Sequence, residues 1–119
     1  MKRATRSYFM AMRASARFGR ATKLRDAGKK REAIIVAREA LAILAHPHVS
    51  RLNPAEGAVL SCATVFLEEL AHELSIPGAS HADIVDTLRV IRAVGPNSDL
   101  AHWVPHLERR AAQGDASAA

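Results

Sequence analysis

Apolar residues recur at three- and four-residue steps in four stretches of this chain, and segments bearing glycine, proline or charge divide one stretch from the next. The clearest is Ala33, Ile34, Ala37, Ala40, Leu41 and Leu44, which align along one stripe of a helix, with Val36 and Ile43 widening it. A stripe that broad belongs to a helix packed on two sides, and alanines at 33, 37 and 40 let neighbouring backbones approach closely. Upstream, Met10, Ala14, Phe18, Ala21 and Leu24 follow the same period. Asp26-Ala27-Gly28 stops that run, with Gly28 as the left-handed turn residue, and Lys29-Lys30-Arg31-Glu32 opens the next.

Past Pro47 the chain restarts. Asn53-Pro54-Ala55-Glu56 places a capping side chain before a proline at the first helical position and an acid in the first turn. Val59, Leu60, Ala63, Phe66, Leu67, Leu70 and Leu74 then share a face, with Ser61, Thr64, Glu68, Glu69 and His72 opposite, so an amphipathic helix is predicted. Ile76-Pro77-Gly78 ends it. Ser80 and Asp83 form a capping box for a fourth helix carrying Ile84, Leu88, Ile91 and Val94, which Gly95-Pro96 stops. Residues 98–112 suit a last helix with Pro105 inside it, hence a kink or two short pieces, and 113–119 form a frayed tail. The expectation is an all-α fold with helices near 5–26, 30–45, 54–75, 81–94 and 98–112, in one domain spanning 1–112.

The order of helix, glycine-bearing turn and second helix with small residues at fixed offsets resembles the tetratricopeptide repeat. Ala21, Leu24, Gly28, Ala33, Ala40 and Leu41 match that pattern, and the run Glu32-Ala33-Ile34 is typical of it. The likeness covers about one repeat, residues 14–47. It departs at Arg17 and Arg20, where the pattern has large apolar residues, at Ala37, where it has an aromatic, and at Ala45, with Pro47 two positions late. The resemblance implies antiparallel hairpins stacked into a short array whose groove accepts a helix or peptide of a partner protein. Gly28 and Gly78 stand 50 residues apart, wider than the roughly 34 of the repeat, so a second member would be degenerate or a cap.

Composition supports helices. Hydrophobic residues make up 49% of the 119 and aromatics 4%, so the core is built from Ala, Leu, Val and Ile. Cys62 is alone, which excludes an intrachain disulfide and favours a reducing, cytoplasmic setting; within an apolar run it reads as packing. No apolar run is long enough to cross a bilayer. Tyr8–Met12 is short for a secretory signal and is closed by Arg13. The first 25 residues are rich in Arg, contain Ser and Thr and hold no acid, as in organelle transit peptides, but the same helix continues into the hairpin.

Charge divides the chain. Residues 1–31 hold eleven Lys or Arg and one acid, a balance of +10, whereas 32–119 hold six basic and eleven acidic residues, a balance of −5. On a helix, Arg6, Arg13, Arg17 and Arg20 fall within an arc of about 60°, beside the face that carries Met10, Ala14, Phe18 and Ala21. Three readings of this stripe are open. It is a footprint for an acidic partner (protein, nucleic acid or anionic membrane), a solvated face, or a surface held against Glu68, Glu69 and Glu73. Tyr8, Phe9 and Met12 offer apolar surface on another side, to be covered by this chain, by a second copy in a homodimer, or by another protein.

No residue set points to catalysis. The chain lacks a glycine-rich phosphate loop and a cysteine with a plausible base, and Glu68, Glu69 and Glu73 read as ordinary exposed acids. His102 and His106 have the spacing of paired metal ligands, but Pro105 undermines their helix; His72-Glu73 lacks a second histidine at position 76, and His46-Pro47-His48 is a loop. No metal or cofactor is expected. The sequence thus points to a non-catalytic interaction module, of adaptor or immunity type, binding an acidic protein or peptide through a helical groove and through Arg6, Arg13, Arg17 and Arg20. The alternative is nucleic-acid binding by the same basic helix.

Overall fold

Each helix boundary has a local cause. In a computed structural model that describes residues 2–114, and the side chains of 9–114, α1 spans Lys2–Asp26 and α2 spans Lys30–Leu44. The turn between them is a Schellman closure. Gly28 takes φ 82°, its N–H donates to the Arg25 carbonyl at 2.9 Å, and the Lys29 N–H donates to the Leu24 carbonyl at 2.8 Å. Helix α3, Pro54–Leu74, starts where the Asn53 side chain accepts the Ala55 N–H at 3.0 Å. Helix α4, His81–Val94, starts where the Ser80 hydroxyl accepts the Asp83 N–H at 3.2 Å. A single 3-10 turn, Ala101–Trp103, leads into α5, Val104–Ala112. Pro105 sits in the first turn of α5, where its missing N–H has no helical acceptor to lose, so it begins a helix instead of kinking one.

The fold is all-α, and among the described residues there is no strand. Each helix packs chiefly on its neighbours in the chain, and α1 also touches α3. On α1 the inward residues are Ala14 and Ala21, both fully buried, with Met10, Phe18 and Leu24 packed against the core. Phe18 meets Phe66 of α3 edge to face at 5.4 Å between ring centroids, and the Arg25 guanidinium lies 4.9 Å from the Phe66 ring centre. The alanine stripe of α2 is buried at 33, 37 and 40, as close helix packing requires.

Helix α3 departs from its sequence pattern. The face carrying Ser61, Thr64 and Glu68 is buried along with Gly57 and Ala71, so α3 is the central helix, packed on two sides. Small residues hide this from a reading of periodicity. At Gly57 a Cβ would stand 3.0 Å from Val90 of α4 and 3.1 Å from the Arg51 carbonyl, so glycine lets α4 and the preceding loop close in. The Ser61 hydroxyl turns back to the Gly57 carbonyl at 2.8 Å and satisfies itself within the helix. What remains exposed on α3 is a narrow strip that includes Ala58, Cys62, Glu69, His72 and Glu73. Cys62 is therefore at the surface and not core packing.

The end of α3 also differs. Its left-handed residue is Ser75, at φ 55°, and the Ile76 N–H donates to the Ala71 carbonyl at 3.0 Å. Gly78 serves another purpose: a Cβ there would overlap the Glu68 carboxylate, at 1.7 Å from Oε2.

Candidate partner-binding site on the first helix

A helix with 25 residues beside one with 15 runs about 15 Å further at 1.5 Å per residue. Arg13, Arg17 and Arg20 lie not on that extension but where α1 runs beside α2, on a stretch that α2 and α3 cover from one side. Arg13, Arg17 and Arg20 are all exposed. Arg17 reaches Glu39 of α2 at 3.6 Å, with both side chains nearly half exposed, a pair that contributes little. Arg13 and Arg20 have no hydrogen bond or ion pair among the described residues. Arg6 lies outside the described side chains.

The acids of α3 do not receive this stripe. Glu73 pairs with Lys30 at 3.0 Å, Glu69 is exposed, and Glu68 is turned away from α1 and buried. Beside the arginines, Phe9 and Met12 are 57% and 51% exposed, and Ala16 extends their row. Phe9, Met12 and Ala16 follow the three- and four-residue steps of one helix face, while Arg13 and Arg20 stand four residues after Phe9 and Ala16 and so border it. The outward side of α1 is therefore a short apolar row edged with guanidinium groups that no acid among the described residues neutralises.

Glu68 is the residue that sequence reasoning misplaced most. It is 5% exposed. Its Oε2 accepts the Ala79 N–H at 2.9 Å, and its Oε1 faces Arg110 Nε at 2.7 Å and His106 Nε2 at 3.1 Å. Arg110 also donates to the Ala79 carbonyl at 2.7 Å, so the carboxylate ties α3, the loop after it and α5 into one node. Burial alone pushes the Glu68 pKa up, and this is the largest single influence. The hydrogen bonds from Arg110, Ala79 and His106, with the Arg110 charge, outweigh it and hold the carboxyl below its ordinary value. His106 is spoken for here, edge-on to Trp103 at 5.4 Å, which leaves His102 exposed without a partner metal ligand. Among the described residues no group of three or more His, Cys, Asp or Glu is placed to hold a metal ion. The sequence carried no separate signal for the node: Gly78 reads there as a helix-ending turn residue, and only its ordinary backbone and the Glu68 carboxylate against it show what the glycine is for.

A groove of about 690 Å³ opens where α2, the start of α4 and the end of α5 meet, floored by Leu41, Leu67 and Ala79. Arg38, Arg51 and Arg110 line it, but each is engaged by the fold. Arg38 donates to the Pro77 carbonyl at 2.7 Å, Arg51 pairs with Asp83 and with Asp86 at 3.0 Å, and Arg110 pairs with Glu68. The charges of Arg51 and Arg110 are thus compensated by carboxylates, while Arg38 is held by a neutral carbonyl. None of Arg13, Arg17 and Arg20 lines it; the structure separates the groove from the basic stripe.

On the exposed strip of α3, partial desolvation and the negative charge of Asp99 raise the Cys62 thiol pKa, which makes it a poor nucleophile at neutral pH. Among the described residues, no helix is long and apolar enough to cross a membrane. No family model matches the chain, and comparison with curated proteins and with solved structures finds no match.

Proposed function

We propose that this chain is a non-catalytic protein-interaction module, built of tetratricopeptide-like helical hairpins, that engages an acidic protein partner along α1. The observation that carries the reading is the exposure of Arg13 and Arg20 without a hydrogen bond or ion pair among the described residues, on a helix whose residues belong to a segment of charge +10. Guanidinium groups held in a row on a rigid helix recognise carboxylates without a large ordering cost. Nucleic-acid binding by the same row is the second reading, and the charge alone favours it. Phosphate contacts do not call for apolar surface, however, and Phe9 and Met12 supply it beside the arginines.

The two readings separate in a titration by fluorescence anisotropy against a glutamate-rich peptide and a short random DNA duplex. At about 100 mM salt the protein module is expected to bind the peptide and leave the duplex, and the combined R13Q/R17Q/R20Q variant is expected to weaken peptide binding by about tenfold or more. Tight duplex binding that falls steeply with salt, together with no binding of the peptide, assigns the helix to nucleic acid instead.

A further inference from the structure

The outward face of α1 has a shape that narrows the kind of acidic partner, and we infer that it docks an amphipathic α-helix whose apolar stripe is edged with carboxylates. The inference rests on the reading of α1 as a protein-binding surface and adds the form of the ligand. Phe9, Met12 and Ala16 present an apolar row about two turns long. It is too narrow to seat a sheet edge and ends at the exposed Lys23, one heptad after Ala16. A helix laid along it matches that row with its own residues at three- and four-residue steps. Arg13 and Arg20 lie seven residues apart on one flank, a separation of about 10 Å. Carboxylates on the partner at the same two-turn spacing meet both guanidinium groups at once.

Charge decides against the other occupants. A second copy would bring one segment of +10 against another, and in the antiparallel arrangement of a two-fold dimer the arginine flanks face each other. An anionic membrane would accept the arginines. Yet an interfacial helix needs a broad apolar face in the lipid, and the broad face of α1, with Ala14, Phe18 and Ala21, is occupied by the core. The arrangement that uses both the row and its flank is a helix of opposite charge.

The test uses the full chain and a synthetic peptide of about 18 residues, long enough to form helix, with leucines along one face and glutamates at the two-turn spacing beside them. A scrambled peptide of the same composition, which has the charge and no stripe, is the control. The ordered peptide is expected to bind saturably and at least about tenfold more tightly than the scrambled one. Both the R13Q/R20Q and the F9S/M12S variants are expected to remove that preference while circular dichroism shows the helical fold retained. Equal binding of the two peptides, abolished by R13Q/R20Q, overturns the helix inference and leaves the acidic-partner reading standing. Binding of neither peptide overturns both. Tighter binding to phosphatidylserine vesicles or to a random duplex than to the ordered peptide, or a stable homodimer that F9S/M12S dissociates, also overturns the inference.

Discussion

At the scale of single residues, two buried carboxylates of α3 set opposite demands on pH. Glu68 has a folded pKa below its ordinary value, because the bonds from Arg110, Ala79 and His106 outweigh the dominant effect of burial. Between the folded value and the ordinary one, the unfolded chain binds the proton more strongly, so stability rises with pH in that window. The contribution is complete above the ordinary carboxylate value of about 4.3 and is lost as pH falls through the folded pKa. Glu56, almost fully buried, is shifted up by burial, with the Ser50 backbone N–H opposing in part. Its sign is reversed: stability falls as pH rises from the ordinary value through the raised one. Glu68→Gln is expected to lose about 2–3 kcal/mol at neutral pH, since it leaves a partly buried guanidinium without its counter-charge. The same substitution is expected to flatten the acid limb of stability below the ordinary carboxylate range. Urea denaturation of both proteins across that range measures both effects, and a variant whose midpoint still falls with acid as the parent's does would place the titration elsewhere.

At the scale of elements, α3 shows why some of this fold could be read from the sequence and some could not. Helix ends were legible because caps are local chemistry: Asn53, Ser80 and Gly28 each act within a few residues of themselves. The second buried face of α3 was not, because apart from Ala71 its members are glycine, serine, threonine and glutamate, which do not register as apolar in a periodic pattern. Their burial depends on what α4, α5 and the intervening loop place against them, and those positions are far away in sequence. Gly78 is the link between these scales. A methyl group there must displace Glu68, and Glu68 cannot move without giving up three bonds. Gly78→Ala is therefore expected to destabilise the protein by about 2–4 kcal/mol, beyond the ordinary scale of a loop substitution. In the Glu68→Ala background the same change is expected to cost less than about 1 kcal/mol, a non-additivity that a double-mutant cycle by chemical denaturation reads directly. Additive losses would mean that Gly78 is needed for its backbone alone.

At the scale of the whole molecule, the division of charge seen in the sequence persists in space. The pairs Arg17–Glu39 and Lys30–Glu73 cross from the basic segment to the rest, but both are exposed and neutralise little of it. The candidate site was legible to the extent that helix geometry alone defines it: the row of arginines and the separate apolar row of Phe9 and Met12 follow from residue spacing on α1. The separation of that row from the groove was not legible, since the groove is assembled from four helices and the loops between them and its own arginines are engaged by Asp83, Asp86, Glu68 and the Pro77 carbonyl. Packing between consecutive helices also has a kinetic meaning. Such topologies close short loops first and fold in the microsecond-to-millisecond range. The bond between Arg110 and Glu68 spans 42 residues and is expected to form late, with the docking of α5. Glu68→Gln is then expected to leave the refolding limb of the chevron in place and to steepen the loss through faster unfolding. Slower refolding would put α5 in the nucleus instead. On this account the buried carboxylate of α3 does not guide the chain to its fold; it governs how long the molecule stays there once folded.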